Sequence, residues 1–296
     1  MFNTLTDKFL NFLQYEKRYS NHTLKAYKKD LSQFSNFLDI SFEIKVPSKV
    51  EHVHVRNWVI DLMESGISPN SVNRKIACLK SYFKFLNTRF PDTHNPAARI
   101  KPLKSEKYLP SFVNEDDMNT LLDRFPFEDN FHGQRDKLLL ELLYCTGIRV
   151  SELIELKLSN VDFNNSYIRV LGKRNKERIL PVSRAVLHLI KRNIDISKLY
   201  FDQKYDYLLI TDSGEKLYPM FIYRIVKKYL TLVTTATKKS PHILRHTFAT
   251  HLLNRGAEIN AIKDLLGHTS LAATQVYTHN TLGKLKTAFD QAHPKA

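Results

Sequence analysis

A stretch near residue 100 breaks the helical periodicity of this chain and divides it in two. The segment NPAARIKPLKSEKYLPSF, residues 95–112, holds three prolines and four basic residues. Proline removes a backbone donor and restricts the residue before it, so this composition favours an exposed connector over a helix or strand. At 296 residues the chain is long enough for two domains with buried cores. We therefore predict a boundary near Tyr108, with domains over residues 1–108 and 109–296.

The first hundred residues carry four apolar patterns at helical spacing, which predict an all-helical bundle. The patterns run over residues 9–13, 24–38, 53–63 and 72–86. Ser20 and Ser68 stand where two of these helices should begin, because a serine side chain can accept a hydrogen bond from an unpaired backbone N–H. Gly66 is expected to end the helix that precedes it.

Beyond the boundary, helical and strand patterns alternate. Helices are predicted over residues 114–125, 135–145, 185–193, 220–232, 242–254 and 259–265, with a short one opened by Arg149. Residues 161–163, 167–171 and 178–182 have the β-branched, alternating character of short strands, and residues 173–176 form the turn between the last two. The predicted fold is mainly α with a small β-sheet, as a helical N-terminal domain followed by a mixed α/β domain.

The charge of the chain indicates a polyanionic partner. Forty-five Lys and Arg against thirty Asp and Glu give a net charge of +15, which favours nucleic acid. Residues 1–108 carry 18 basic and 10 acidic side chains, and residues 149–296 carry 24 and 12. Residues 109–148 carry only 3 basic and 8 acidic side chains, so we expect this stretch to face away from phosphate or to contact another protein.

Other features disfavour several classes of protein. Cys78 and Cys145 lie inside apolar helical patterns, where a thiol behaves as a small hydrophobic group and no disulfide is expected. The first residues include Asp7 and Lys8 and no long uncharged apolar run, which speaks against a secretion signal or a membrane span. The sequence has no glycine-rich nucleotide-binding loop. We expect a cytoplasmic protein that acts without ATP, metal or another cofactor.

A set of reactive side chains in four segments has the chemistry to break a phosphodiester. The segments are CTGIRVSEL, LGKRNKER, HILRHTFATH and LGHTSLAATQVYTH, and the side chains are Arg149, Lys173, His242, Arg245, His268 and Tyr277. Cleavage without metal needs a nucleophile, donors for the two non-bridging oxygens and an acid for the departing ribose oxygen. A phenol, whose pKa is about 10, becomes nucleophilic beside positive charge or a base, and arginine forks bind phosphate oxygens.

Three of these residues also have a purely structural interpretation. Tyr277 is one of fourteen tyrosines, and most tyrosines pack half-buried in a protein. His268 directly follows Gly267, where it could cap a helix end. Lys173 lies in a basic turn that solvation alone explains. Spacing by itself does not decide between the two interpretations.

Two further alternatives concern pairs of residues. Arg149 and Glu152, three positions apart on one helical face, could form a surface ion pair, or Glu152 could orient the guanidinium group toward phosphate. His242 and His246, four positions apart, have the spacing of zinc ligands, although the residues between them include no acidic base and do include Arg245.

The chain resembles the tyrosine recombinases, and within them the Xer type, in which these four segments recur in the same order and at nearly the same spacing. The resemblance spans almost the whole chain and is strongest over residues 143–279. It implies that Arg149 is the first catalytic arginine, Lys173 the hairpin lysine, His242 and Arg245 the histidine-arginine pair, His268 the second histidine and Tyr277 the nucleophile. Arg174 departs from the pattern, because Xer-type relatives usually have glycine there.

The resemblance also implies a function and partners. The chain would be a site-specific recombinase that clamps DNA between two domains and cleaves and rejoins it through a 3′-phosphotyrosyl link. It would act on a double-stranded recombination site as a homo- or hetero-tetramer on two such sites, with a paired Xer-type recombinase or an activator. The terminal helix, residues 282–292, would reach a neighbour through apolar Leu285, Ala288, Phe289 and Ala292, or else pack on its own domain.

The sequence is also compatible with other functions. Chromosome dimer resolution is the usual Xer task, but integrases and invertases of phages and mobile elements share the same chemistry. A type IB-like topoisomerase would use the same residues without a partner, and a non-catalytic DNA-binding regulator would use the basic ones only to contact phosphate. Lys176 and Arg178 are expected to contact the DNA backbone. The candidates for base contacts are Lys25, Lys75, Lys80 and Arg224.

Overall fold

The computed structural model describes residues 2–90, 94–104, 112–172, 177–201, 206–267 and 287–295. The chain divides into two compact units, Met1–Tyr108 and Leu109–Ala296. The described residues are mostly helical, with one small antiparallel sheet. No helix among them is both long and apolar enough to cross a membrane.

In the part that the structure describes, the N-terminal unit is a bundle of four helices. They are α1 (Phe2–Asn11), which runs into a π-helical turn over Phe12–Glu16, α2 (Asn21–Phe42), α3 (His52–Glu64) and α4 (Pro69–Arg89), with a short 3-10 turn over Pro47–Lys49. The predicted cap at Ser20 is confirmed, because its hydroxyl accepts from the backbone N–H of Thr23 at 3.3 Å. Helix α4 begins directly after Ser68, as predicted, but the Ser68 hydroxyl donates to Ser71 Oγ and accepts no backbone N–H.

The core of this unit surrounds a buried charged group. Aromatic side chains including Phe34, Trp58 and Tyr82 are almost fully buried. Beside them Asp30, 1% exposed, accepts from Lys75 Nζ at 2.9 Å and from Arg74 Nη2 at 3.0 Å. Because the Lys75 side chain is only 7% exposed, its assignment as a candidate base contact is wrong in this structure; it neutralises a buried carboxylate.

The first part of the predicted connector packs on the helical unit. Ala97 is fully buried and Ile100 is buried. Asn73 on α4 accepts from the backbone N–H of Leu103 at 2.7 Å and donates to the carbonyl of the same residue at 3.0 Å. The prediction of an exposed connector is therefore wrong for Ala97 and Ile100, whereas Ala98, Arg99, Lys101 and Pro102 are exposed as predicted. Residues 105–111 lie outside the described residues.

The C-terminal unit has seven named helices and three strands in its described part. The elements are α5 (Glu115–Asn119) with a π-helical turn over Thr120–Arg124, α6 (Phe131–Thr146), α7 (Val150–Ile154), a 3-10 turn over Leu158–Asn160, β1 (Val161–Asp162), β2 (Tyr167–Leu171), β3 (Glu177–Pro181), α8 (Arg184–Tyr200), α9 (Pro219–Val233), α10 (Pro241–Asn254) and α11 (Ile259–Leu266). A helical turn over residues 287–292 follows. The strands form an antiparallel meander in the order β1-β2-β3.

Helix α6 is the centre of this unit, and almost all of its residues are buried. It packs against α8 and α10. Gly147, with φ of 58°, ends it in the left-handed conformation, two residues after the predicted end at residue 145. Cys145 near its end and Cys78 in α4 are both buried and free, as predicted.

The predicted boundaries fail most clearly at α8, which continues seven residues past its predicted end. Asn193 and Ser197 interrupt the apolar pattern, yet both are buried. Asn193 Nδ2 donates to the carbonyl of Leu208 at 3.3 Å, and Ser197 Oγ donates to the carbonyl of Asn193 at 2.6 Å. Buried polar groups that find partners are tolerated inside a core, so periodicity alone misjudged this helix end.

Candidate active site

Arg149 stands at the start of α7, held in place by Glu152. The Glu152 carboxylate accepts from the Arg149 backbone N–H at 2.8 Å and from Arg149 Nη1 at 2.8 Å. The Glu152 side chain is only 3% exposed, whereas that of Arg149 is 32% exposed. The interpretation as a surface ion pair is therefore wrong, and the carboxylate orients a guanidinium group that still reaches solvent.

Arg178 in β3 approaches the same carboxylate from the other side. Its Nη1 and Nη2 donate to Glu152 Oε1 and Oε2 at 2.6 and 2.7 Å, and its Nε donates to the carbonyl of Leu265 at 3.1 Å. The side chain is 4% exposed. The expectation that Arg178 contacts the DNA backbone is therefore wrong in this structure, because its donors are used inside the domain.

Arg245, one turn into α10, completes the cluster. Its Nη1 donates to the carbonyl of Gly147, and its Nη2 donates to the carbonyl of Leu266 at 2.5 Å. Arg149 Nη2 donates to the next carbonyl, that of Gly267, at 3.0 Å. Residues 149 and 245, ninety-six positions apart in sequence, thus meet at neighbouring carbonyls.

The three arginines hold three consecutive carbonyls at the end of α11. Arg178 binds that of Leu265, Arg245 that of Leu266 and Arg149 that of Gly267. The last carbonyls of a helix lack partners within it and carry partial negative charge, so cations there are favourable. The cluster therefore holds the end of α11, and His268 is the next residue in the sequence.

The electrostatics of the cluster favour an added anion. Burial by itself would raise the pKa of Glu152, but hydrogen bonds and charge from Arg178 and Arg149 outweigh it, and the pKa is lowered. Burial, followed by repulsion from Arg149 and Arg178, lowers the pKa of Arg245 to about 10. Three cations therefore share one carboxylate, and a phosphate would relieve their mutual repulsion.

The remaining predicted residues are placed as follows. His242 is exposed in the first turn of α10, three positions before Arg245. Lys173, Arg174 and Lys176 lie outside the described residues, as do His268 and Tyr277. Of six candidates, the structure brings Arg149 and Arg245 together and places His242 on the same helix as the latter.

The histidines of α10 differ in their surroundings. His246 is half-buried, whereas His251 is buried and its Nδ1 shares a 3.0 Å hydrogen bond with Tyr144 Oη. Within the ranges that the structure describes, no group of three or more His, Cys, Asp and Glu side chains is arranged to hold a metal ion.

The terminal segment packs on its own domain in its described part. Phe289 and Ala292 are 1% and 2% exposed and join a small apolar cluster on α10 and α11 that includes Phe248, Leu252 and Leu265. His293 stacks on Phe289, with ring centroids 5.0 Å apart. Leu285 lies outside the described residues, and Ala288 is half-buried. In this single chain, the interpretation that the segment packs in cis is the one observed.

Sequence reasoning missed the role of Arg178, although the signal was present. Arg178 pairs with Val170 across the β2–β3 ladder, and side chains two positions apart share a face of a strand. Leu180 and Val182, on that face, are 0% and 4% exposed. An arginine in register with buried apolar residues should have been assigned to the interior.

Comparison with known proteins agrees with this architecture. Residues 111–283 match the model of the phage integrase family, and residues 6–89 match that of the phage integrase N-terminal SAM-like domain. Crystal structures with a similar fold include the XerH site-specific recombinase bound to a palindromic difH substrate, with a TM-score of 0.71 and 21% identity over 90% of this chain and 78% of that one. The Tn1549 transposon integrase with transposon right end DNA has a TM-score of 0.68 and 20% identity, covering 94% of this chain and 97% of that one.

Curated relatives extend along nearly the whole chain. The tyrosine recombinase XerC of Thermodesulfovibrio yellowstonii is 40% identical over 97% of this chain and 95% of its own. The XerC proteins of Staphylococcus carnosus and Chlorobaculum parvum are 37% and 35% identical, over 99% and 98% of this chain and 98% and 94% of their own. On these matches, the chain belongs to the phage integrase family, as a DNA breaking and rejoining enzyme of the Xer type of site-specific tyrosine recombinases.

Proposed function

We propose that Arg149, Lys173, His242, Arg245, His268 and Tyr277 form the cleavage site. The Tyr277 phenol oxygen attacks the scissile phosphorus and forms a 3′-phosphotyrosyl bond, while the bond to the 5′ oxygen breaks. Lys173 gives that oxygen its proton, and the arginines with His242 donate to the non-bridging oxygens. His268 accepts the proton of the phenol or donates to phosphate. Rejoining is the reverse attack by a 5′ hydroxyl, so the reaction needs no fuel.

One observation carries this proposal. Arg149 and Arg245 donate to the adjacent carbonyls of Gly267 and Leu266, and each guanidinium group has five N–H donors, of which two are used in these contacts. The remaining donors are available to two oxygens of one phosphate. These two carbonyls belong to the two residues before His268 in the sequence, which supports placing His268 in the same site.

The wider function follows from the relatives. We propose that the N-terminal unit binds one part of a double-stranded recombination site and that the C-terminal unit cleaves it, within a homo- or hetero-tetramer on two sites. A paired Xer-type recombinase or an activator would complete the assembly. The XerC names of the relatives support a role in chromosome dimer resolution in the cytoplasm, with integration or inversion of a mobile element as the alternative.

A covalent capture experiment tests the chemistry. Nicked duplexes with a randomised core are incubated with the full chain, and captured molecules are selected, sequenced and resynthesised as a defined suicide substrate. We expect a protein–DNA adduct with the native chain and none with Tyr277→Phe. An adduct of undiminished yield with Tyr277→Phe would contradict the assignment, and relaxation of supercoiled DNA without exchange between two duplexes would favour a topoisomerase.

A further inference from the structure

Arg178 links three elements that lie next in sequence to proposed catalytic residues. It is the second residue of β3, and Lys173 lies in the sequence between β2 and β3. Two of its nitrogens bind Glu152 in the first turn of α7, next to Arg149, and its third binds the carbonyl of Leu265 at the end of α11. A single buried side chain therefore ties the base of the hairpin to α7 and to the helix end before His268.

The position of Arg178 excludes a direct contact with DNA in this arrangement. All three of its guanidinium nitrogens donate within the domain, and the side chain is 4% exposed. The backbone at Gly267, with φ of 63°, lies against it so closely that a Cβ built there would stand 3.1 Å from Arg178 Cδ. Any effect of Arg178 on the reaction must therefore act through the groups that it holds.

Charge gives Arg178 a second effect on the same site. Arg178 and Arg149 both pair with the Glu152 carboxylate, and Arg245 lies beside them, so three positive charges share one negative charge. The cluster therefore keeps a net positive charge that can attract an anion. Attack on a phosphodiester adds negative charge at phosphorus, so this net positive charge favours the transition state over the ground state.

We propose that Arg178 is a positioning residue of the cleavage reaction, which touches no DNA but fixes Glu152 and the last turn of α11, so that Arg149 is held in the direction that phosphate binding requires. The inference rests on the proposed function of Arg149 and His268. Small displacements of a catalytic group can cost a large factor in rate, whereas the affinity for DNA depends on many exposed contacts and should be unaffected.

The test compares two buried arginines in the full-length chain. Arg178→Gln removes the proposed positioning group. Arg135→Gln is the matched control, because Arg135 is also 4% exposed, is bound to the carboxylate of Asp136 at 2.8 and 3.0 Å, and lies outside the cluster. The captured suicide duplex serves as probe, and three quantities are measured: the Kd for the duplex, the single-turnover rate of adduct formation at saturating DNA, and the Tm.

The proposal makes different predictions for the two variants. We expect Arg178→Gln to slow adduct formation about 10- to 100-fold with an unchanged Kd. We expect the folded fraction of Arg135→Gln to keep the native rate, even if its Tm falls as much as that of Arg178→Gln. In a chain that already carries Arg149→Gln, adding Arg178→Gln should slow adduct formation by a much smaller factor than it does in the native chain, because the effects of residues that act as a unit are not additive. A native rate in Arg178→Gln, an equal loss in Arg135→Gln, or a loss that tracks the Kd would overturn the proposal.

Two further outcomes keep the test decisive. If Arg178→Gln does not fold, Arg178→Lys retains a cation opposite Glu152 but cannot bridge both carboxylate oxygens and the carbonyl of Leu265, and the same slow rate at unchanged Kd is expected. If the native chain and Tyr277→Phe are both without adduct, the proposed function itself fails. If the native chain forms adduct and neither Arg178 variant is slower, only the role of Arg178 is refuted.

Discussion

At the scale of single residues, one buried carboxylate organises this site. Glu152 accepts from two guanidinium groups at once, and its pKa is lowered by them although burial opposes this. A buried carboxylate with one partner removed leaves uncompensated charge, which is strongly destabilising. The same residue therefore stabilises the domain and sets the direction of Arg149.

Arg245 is the residue whose loss should separate chemistry from folding most clearly. Its charge is disfavoured by burial and by its two arginine neighbours, so removing that charge relieves repulsion while it removes donors to phosphate. We expect Arg245→Gln to reduce the single-turnover rate of adduct formation by about 10²- to 10³-fold with little loss of Tm. Arg192→Gln, which removes an exposed ion pair with Asp129, is the control and should keep the native rate. A large fall in Tm with a native rate per folded molecule would contradict this prediction.

The sequence predicted which residues are reactive but not how they are held. The family motifs pointed to Arg149 and Arg245, whereas no spacing rule could show that both would bind the carbonyls at the end of α11. Backbone carbonyls have no sequence signature, because every residue has one. Arg178 was misjudged for a related reason, since its basic turn suggested an exposed position while the strand register buries it.

At the scale of elements, the junction between α6 and α7 depends on a glycine with two separate constraints. Gly147 has φ of 58°, and a Cβ built there would stand 2.6 Å from Phe248 Cδ1 and 2.9 Å from Leu266 Cδ2. A left-handed residue other than glycine costs about 1–2 kcal/mol, and forcing extra volume into a packed core costs about 1–3 kcal/mol more.

Gly147→Ala should therefore lower the free energy of unfolding of the catalytic domain by about 2–5 kcal/mol, the sum of these two costs. Gly256→Ala is the matched control in the same domain, because Gly256 has φ of 85° but nothing within 4 Å of the added Cβ. Gly256→Ala should lower the free energy of unfolding only by the cost of the left-handed conformation, about 1–2 kcal/mol. Urea unfolding followed by far-UV circular dichroism measures both, and equal losses would show that packing at Gly147 is unimportant.

The docking of the terminal segment should depend on pH through His293. Its ring lies 5.0 Å from those of Tyr144 and Phe289 and 5.3 Å from that of Phe248, and burial lowers its pKa to about 3. The docked histidine is therefore neutral, whereas a released one has the ordinary pKa of about 6.5. The docked state is therefore fully stable above pH 6.5 and loses stability as the pH falls toward 3. At pH 5 the free energy of docking is weaker by about 2 kcal/mol.

Hydrogen exchange over residues 287–292, corrected for the intrinsic effect of pH, measures this release. We expect protection in the native chain to fall as the pH is lowered from 7 to 5. In His293→Phe most of this decrease should be absent, because phenylalanine keeps an aromatic ring at this position but cannot take up a proton. His251, whose pKa burial also lowers, should leave a residual dependence. His188→Phe changes an exposed histidine and should behave as the native chain does; a pH-independent native chain would contradict the prediction.

The ends of helices could be predicted from the sequence where a local signal such as glycine sets them, but not where contacts with distant residues set them. Gly66, with φ of 74°, follows the end of α3 as predicted. The predictions for helix α8 and for the segment after Asn95 were wrong, because the side-chain amides of Asn193 and Asn73 find backbone partners outside their own helices, which only the folded unit supplies. Periodicity records which residues are apolar, and it does not record which polar groups are satisfied.

At the scale of the whole molecule, positive charge is divided between surface and interior. The net charge of +15 resides largely on exposed lysines and arginines such as Lys25 and Arg224, whereas Lys75 and Arg178 are buried against carboxylates. Exposed charges act on DNA affinity and are screened by salt, and buried ones are screened much less. Binding and chemistry should therefore respond differently to ionic strength.

Salt titration of the native chain tests this division. If six to ten phosphates are neutralised, the Kd for a duplex should rise by about 10³- to 10⁵-fold between 50 and 200 mM salt, while the rate of adduct formation at saturating DNA changes little. Lys25→Gln should flatten the slope of log Kd against log salt by at most about 0.9, because it removes at most one phosphate contact. Arg178→Gln should leave the slope unchanged, since its guanidinium group lies inside the domain. A flatter slope in Arg178→Gln would mean that this arginine reaches phosphate in the complex and that its place beside Glu152 changes when DNA binds.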